Sequence, residues 1–113
     1  MRIVNLQEFR ELPNDIVFMK FEPCIFDELS VKVDLCGDSD FFYCDITAAI
    51  DCNDSSEFAD LLIAASKDSS ISLKMDLDCT GRDGLYEDKQ LFAVYEQEDI
   101  DNLRYKLKYC VGA

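Results

Sequence analysis

The fold is decided by one stretch of the chain, LSVKVDLCGDSDFFYCDI, which runs from Leu29 to Ile46. Its first part alternates in a way typical of a β-strand, with Val31, Val33 and Leu35 on one face and Lys32 and Asp34 on the other. Cys36–Ser39 has the composition of a tight turn, and the aromatic segment Asp40–Ile46 follows it. The stretch therefore predicts a β-hairpin.

Three further segments favour strands: Ile16–Phe21, Ile71–Leu77 and Leu91–Tyr95. Of these, Ile71–Leu77 alternates most strictly, and a glycine-containing loop from Asp78 to Lys89 follows it. Helices are expected in three places. A short one begins at Asn5 with Glu8 three residues on, a second begins at Asp54 with Glu57 in the same relation, and a third covers about Gln97–Tyr109.

The second predicted helix has an apolar stripe wide enough to lie on a sheet, formed by Phe58, Leu61, Leu62 and Ala65. Residues 1–113 are thus expected to form a single α+β domain. Its mostly antiparallel sheet would have about five strands and be covered by two main helices.

Composition excludes several classes of function. The 113 residues are 49 % hydrophobic and 31 % charged, and 24 acidic against 11 basic residues leave a formal net charge of −13. Such a charge disfavours direct contact with nucleic acid or an anionic membrane. Histidine, the usual acid–base catalyst at neutral pH and a common metal ligand, is missing from the sequence. Paired carboxylates could still catalyse hydrolysis, but so many acids make any pair uninformative, and we expect no enzyme.

The six cysteines are not arranged as C-x-x-C, and the N-terminus has no apolar segment typical of a signal peptide. Reduced, mostly buried thiols and a cytoplasmic location are therefore expected. No stretch is long and apolar enough to span a membrane.

One pattern suggests calcium. Asp76, Asp78, Thr80, Gly81 and Glu87 occupy positions 1, 3, 5, 6 and 12 of an EF-hand loop. The segment before the loop alternates like a strand instead of a helix, and Asp83 stands where an apolar residue is usual. The interpretation preferred here is a polar loop with no metal or other cofactor, with calcium binding kept as an alternative.

The acidic residues are unevenly distributed along the chain. Between Lys32 and Lys67 there is no basic residue but there are eight acids: Asp34, Asp38, Asp40, Asp45, Asp51, Asp54, Glu57 and Asp60. On a strand, carboxylates two residues apart stand ~6.6 Å from each other, which resembles the spacing of nucleic-acid phosphates. These acids could imitate phosphates before a basic protein surface, or they could simply keep the chain in solution.

Aromatic residues accompany these acids. Phe41, Phe42 and Tyr43 are consecutive, so at least one ring must point away from the core of a strand. Phe42, Tyr43 and the loop residue Tyr86 are candidate anchors for a protein partner. The alternative is that these rings pack across sheet edges.

Four motifs resemble a family of small uncharacterised tailed-phage proteins. They are E-F-x-x-L-P at Glu8–Pro13, E-P-C at Glu22–Cys24, G-R-D-G-L-Y at Gly81–Tyr86 and Q-L-F-A-V-Y-E at Gln90–Glu96. After the first proline this chain has Asn14-Asp15, where the family tends to have Gly-Thr. The resemblance implies a phage or prophage protein acting in the bacterial cytoplasm, and it assigns no catalytic residue.

Phage context and acidic character together suggest an inhibitor. The expected partner is a host defence protein, such as a CRISPR effector or a restriction enzyme, whose basic nucleic-acid-binding surface the chain would occupy. The alternative is a structural or assembly accessory protein of the phage.

Overall fold

The computed structural model describes residues 1–84 and 87–113, which form seven strands and three helices. The strands are β1 (Arg2–Asn5), β2 (Val17–Glu22), β3 (Ile25–Phe26), β4 (Ser30–Cys36), β5 (Asp40–Asp45), β6 (Gly81–Arg82) and β7 (Leu91–Val94). The helices are α1 (Leu6–Glu11), α2 (Ser55–Lys67) and α3 (Gln97–Lys108). All strand pairs are antiparallel, in the order β1-β7-β2-β4-β5-β6, and β3 pairs with β2. The α+β class with an antiparallel sheet is confirmed.

The core forms where α1 lies on the sheet. Asn5 caps this helix because its side chain accepts a hydrogen bond from the Glu8 amide at 2.8 Å, and the Glu8 carboxylate accepts one from the Asn5 amide. The cap positions Phe9, which is fully buried. Its ring stacks on Phe92 at 4.1 Å between centroids and meets Phe18 and Phe41 edge-on. One short helix therefore supplies the central side chain of the core.

The predicted hairpin is present as β4 and β5, but its faces differ from the prediction. The register shifts between Lys32 and Asp34, so that Lys32 lies opposite Tyr43 and Asp34 lies opposite Phe42. Because residues directly opposite each other share a face and neighbours along a strand do not, this bulge puts Lys32 and Asp34 on opposite faces. The prediction that they share a face was wrong.

Lys32 is only 1 % exposed, because it closes the end of α1. Its ammonium group donates hydrogen bonds to the carbonyl oxygens of Phe9 and Arg10, both at 3.1 Å, and to that of Leu12. A helix leaves its last carbonyls without partners inside the helix, so a cation there satisfies them. Burial, and next the charge of Arg10, lower the pKa of Lys32 below its ordinary value.

The two longer helices do not cover the sheet as expected. Neither α2 nor α3 contains a buried residue, although Asp54 caps α2 as predicted by accepting from the Glu57 amide at 2.8 Å. Phe58 and Leu62, on the predicted apolar stripe of α2, are 39 % and 37 % exposed. The buried helical side chain is instead Phe9 of α1, which the sequence analysis treated as a minor element.

Ile71–Leu77 is not a strand, and that prediction was wrong. In this segment Met75 forms an isolated bridge to Ile50, flanked by a hydrogen bond from the Asp51 amide to the Lys74 carbonyl at 2.8 Å. The free edge of β5 is occupied by Gly81 and Arg82 of β6, which pair with Tyr43 and Phe42. Alternation favours a strand only where a neighbouring edge is free to pair with it.

The six cysteines form no disulfide in the structure, and the prediction that they are mostly buried was wrong. Cys44 is buried, Cys36 and Cys52 are half-buried, and the other three are exposed: Cys24, Cys79 and Cys110.

The surface is large for the size of the chain. The accessible area is 8178 Å², whereas a monomer of 12.9 kDa is expected to expose about 6,300 Å². The Cα radius of gyration is 15.9 Å, against about 13 Å for a compact domain of this length. Loose attachment of α2 and α3 explains both differences.

Candidate anionic interface

The structure separates the predicted acidic residues into two groups at opposite ends of the β4–β5 hairpin. Asp34, Asp38 and Asp40 lie at or near its turn, whereas Asp45 ends β5 at the other end of the hairpin. The remaining predicted acids follow Asp45 in the chain. Asp51 precedes α2, Asp54 and Glu57 lie at its start, and Asp60 lies within it. The eight residues therefore do not form one continuous row.

Asp40 is a structural residue and cannot present its carboxylate to a partner. It is 4 % exposed, and its Oδ1 accepts hydrogen bonds from the amides of Phe41 and Gly84 at 2.8 and 2.9 Å. Its Oδ2 lies 3.1 Å from Nε of Arg82. The Arg10 guanidinium donates to the Asp40 carbonyl at 2.6 Å and to that of Gly37 at 2.8 Å. The assignment of Asp40 as a surrogate phosphate is therefore withdrawn.

The second group is joined by acids from two other segments. We use the name anionic end for eight residues that lie in and around this part of the sheet: Asp27, Glu28, Asp45, Asp51, Asp54, Glu57, Asp76 and Asp78. Backbone hydrogen bonds hold two of its loops together, since the Asp76 amide donates to the Ala49 carbonyl at 2.7 Å and the Asp51 amide donates to Lys74.

The pKa values of two thiols respond to carboxylates of the anionic end. Burial raises the pKa of Cys44, and the charge of Asp78, followed by those of Cys79, Asp45 and Asp76, raises it further. The pKa of Cys52 is raised in the same way, by desolvation and then by three carboxylates of the anionic end: Glu57, Asp51 and Asp54. Cys44 is therefore affected by carboxylates of β5 and of the loop at Asp76–Asp78, and Cys52 by carboxylates of residues 51–57; Cys79 is the group that acts on both thiols.

Glu28 gives a second sign of crowded negative charge. Burial raises its pKa above the ordinary value, and the charges of Asp45 and Asp27 and a hydrogen bond with the Asp45 carboxyl add to the shift. Two neighbouring lysines offset part of this charge. Lys20 is paired with the largely buried Asp83, and Lys74 lies 3.9 Å from Asp51.

The candidate aromatic anchors have different environments. Phe41 is 2 % exposed and Phe42 is 37 % exposed, so one ring of the consecutive set does point away from the core. Tyr43 is half-buried, with its ring centroid 6.2 Å from that of Phe41, and burial raises its pKa. Tyr86 lies outside the described residues.

The calcium-like loop has no helix before it, since residues 71–74 have no regular secondary structure and Met75 forms an isolated bridge. The Asp76 carboxylate accepts a hydrogen bond from the Asp78 amide at 3.0 Å, and Gly81 belongs to β6. Within residues 1–84 and 87–113, no group of three or more Cys, Asp or Glu side chains has an arrangement that could hold a metal ion.

Comparison with protein-family models gave no match, and comparisons with curated proteins and with solved structures gave no significant match. None of the described helices is both long and apolar enough to cross a membrane.

Sequence reasoning missed four residues of the anionic end. Asp27 and Glu28 precede Lys32, so they fell outside the window without basic residues that defined the predicted set. Asp76 and Asp78 had been considered only as calcium ligands. Acidic residues both precede and follow β4 in the sequence, and this was the signal that could have pointed to Asp27 and Glu28. The sequence does not show that these segments lie close together, because the fold brings them together.

Proposed function

We propose that this chain is a non-enzymatic binding protein that occupies a basic, nucleic-acid-binding surface of another protein with its anionic end. The resemblance to phage proteins suggests a host defence protein, such as a CRISPR effector or a restriction enzyme, as the partner. Inhibition would follow because nucleic acid and the chain would compete for the same cationic groups.

The observation that carries this proposal is the convergence of carboxylates at the anionic end. A net charge of −13 along a longest dimension of 43 Å is about 0.3 charges per Å, roughly half the ~0.6 per Å of duplex DNA. Eight of the 24 acidic residues belong to the anionic end, where the nearby Lys74 lies 3.9 Å from Asp51 and Lys20 is paired with Asp83. Such a field accelerates encounter with a cationic cleft and makes binding sensitive to salt.

The test uses a variant in which three exposed or half-buried acids are neutralised: Asp51→Asn, Asp54→Asn and Glu57→Gln. Asparagine still caps a helix, so α2 is retained. The readout is displacement of a fluorescent DNA duplex from purified restriction and CRISPR nucleases of the host, at 50 and 500 mM salt. We expect wild-type displacement to weaken steeply with salt and the triple variant to displace at least tenfold less well at low salt.

A matched control removes the same number of charges elsewhere: Glu11→Gln, Glu98→Gln and Asp101→Asn. If this control lost as much displacement as the test variant, net charge and not the anionic end would be responsible. Displacement that did not change between the two salt concentrations would end the mimicry proposal.

A second candidate, an assembly accessory protein, is favoured by a different observation. The chain exposes about 1,900 Å² more surface than expected, and Ile63, Leu107 and Val111 are each more than half exposed. One side of a standard protein interface is only about 800 Å². This candidate predicts co-purification with virion components and no displacement of DNA from host nucleases.

A further inference from the structure

A small cavity lies between β2, β4 and β5, next to the anionic end. Its volume is about 100 Å³, and two aromatic rings of the core, Phe18 and Phe41, form part of its wall. The other lining residues are polar: Lys20, Asp27, Glu28, Ser30, Tyr43 and Asp83. An aromatic wall with converging polar groups is typical of a site that receives a specific chemical group.

Ser30 contributes a hydroxyl group to the wall of the cavity. The residue is 5 % exposed, and its hydroxyl is not one of the described side-chain atoms that are sealed from solvent without a hydrogen-bond partner, which is the situation of Asp40 Oδ2. A hydroxyl oxygen at the cavity wall can accept a hydrogen bond from a ligand group that donates one.

The charges around the cavity indicate a cation. Lys20 is already paired with Asp83, whose side chain is 4 % exposed. Asp27 and Glu28 contribute two further carboxylates, and the Glu28 carboxyl also faces that of Asp45. The lining therefore has an excess of negative charge, which an incoming cation would neutralise.

We infer that this cavity receives the guanidinium group of an arginine side chain from the partner protein. The inference rests on the proposed function and names the anchor of that complex. A guanidinium is planar, donates up to five hydrogen bonds and stacks on aromatic rings. The carboxylates of Asp27 and Glu28 and the hydroxyl of Ser30 would accept hydrogen bonds from the guanidinium. The ring of Tyr43 would stack on its plane.

The experiment titrates the ¹⁵N-labelled chain with Nα-acetyl-arginine methylamide and follows amide chemical shifts by NMR. The matched neutral compound is Nα-acetyl-citrulline methylamide, which has nearly the same shape. We expect saturable shifts at Ser30, Tyr43 and Phe18 with the arginine compound and none with the citrulline compound. Equal shifts with both compounds would overturn the inference, as would no shift with either.

Two variants locate the site. Glu28→Gln and Ser30→Ala should each weaken binding, Glu28→Gln by about tenfold because it removes a charge-assisted hydrogen bond. Asp60→Asn, which removes a carboxylate from α2, should leave the affinity unchanged. Thermal unfolding of each variant shows whether the fold is intact, and an intact Glu28→Gln variant with wild-type affinity would contradict the inference.

Agmatine, a small molecule with the same guanidinium, separates the two possible sources of that group. Agmatine binding a hundredfold more tightly than the capped arginine would mean a site for a free amine and would overturn the assignment to a partner side chain. Failure here is distinct from failure of the proposed function. DNA displacement could remain salt-sensitive without arginine binding, and arginine could bind without any displacement.

Discussion

Lys32 is a charged residue with a core function. Three carbonyl oxygens at the end of α1 accept hydrogen bonds from its ammonium group, and the side chain is almost completely buried. These bonds connect β4 to the helix that carries Phe9. The charge is therefore tolerated inside the protein because the end of a helix is its partner.

Replacing this residue by Lys32→Met tests that role. The substitution keeps a long apolar side chain but leaves the three carbonyls without a donor, so we expect the free energy of unfolding to fall by about 1–3 kcal/mol. Urea unfolding followed by circular dichroism measures the change. The control is Lys74→Met, at a side chain that is 83 % exposed, and it should change stability by less than about 0.5 kcal/mol. Equal effects of the two substitutions would contradict the assigned role.

Single residues also show what sequence could and could not predict. The caps at Asn5 and Asp54 were predicted correctly because capping depends on residues only three positions apart. Lys32 and Asp40 were misplaced because their partners are distant in sequence: the end of α1 for Lys32, and Arg82 and Gly84 for Asp40. No local pattern marks a charged side chain whose partner is brought to it by the fold.

At the scale of elements, α1 and α2 differ in what holds them in place. The short helix α1 contributes Phe9 to the core, whereas the longer α2 buries no side chain. Isolated helices of about 13 residues are marginal in water, so α2 depends on its cap and on partly buried contacts. We infer that α2 opens independently of the sheet.

Matched cap deletions test this difference. Asn5→Ala should lower the global free energy of unfolding by about 1 kcal/mol, because α1 and the core unfold together. Asp54→Ala should instead accelerate hydrogen exchange in α2 and leave exchange in β2 and β7 unchanged. If amides of α2 in the wild type were as protected as those of β7, the helix would be part of the cooperative core and the prediction would fail.

The wrong prediction of a strand at Ile71–Leu77 and the wrong expectation that α2 is buried have the same cause. The apolar residues of Ile71–Leu77 repeat as in a strand, and those of α2 repeat as in an amphipathic helix. Such a repeat indicates which side chains share a face, but it does not indicate what covers that face. The central hairpin was predicted because both of its strands are adjacent in sequence. The anionic end was predicted only in part, since four of its acids come from segments that pair through the fold.

The whole molecule combines two properties that oppose each other in solution. Its formal net charge of −13 keeps copies apart, while its exposed apolar side chains, such as Ile63 and Leu107, favour association. The range of the repulsion is set by salt, because the Debye length falls from about 30 Å at 0.01 M to about 3 Å at 1 M.

We therefore expect self-association to increase with ionic strength. Sedimentation velocity should show monomers at 10 mM salt and larger species at 1 M salt. The double variant Ile63→Ser and Leu107→Ser should stay monomeric at 1 M, whereas the polar control Ser56→Asn and Asn102→Ser should behave as the wild type. Salt-independent sedimentation of the wild type, or equal behaviour of both double variants, would contradict this balance of forces.

The short strands at the two edges of the sheet limit what such association can produce. β1 has four residues, and α1 begins immediately after it, while β6 at the opposite edge has two. Edges of this length offer too few free amides and carbonyls to template a further strand from another molecule. Assemblies of this protein should therefore grow through side chains into reversible oligomers, and not through backbone pairing into amyloid fibrils.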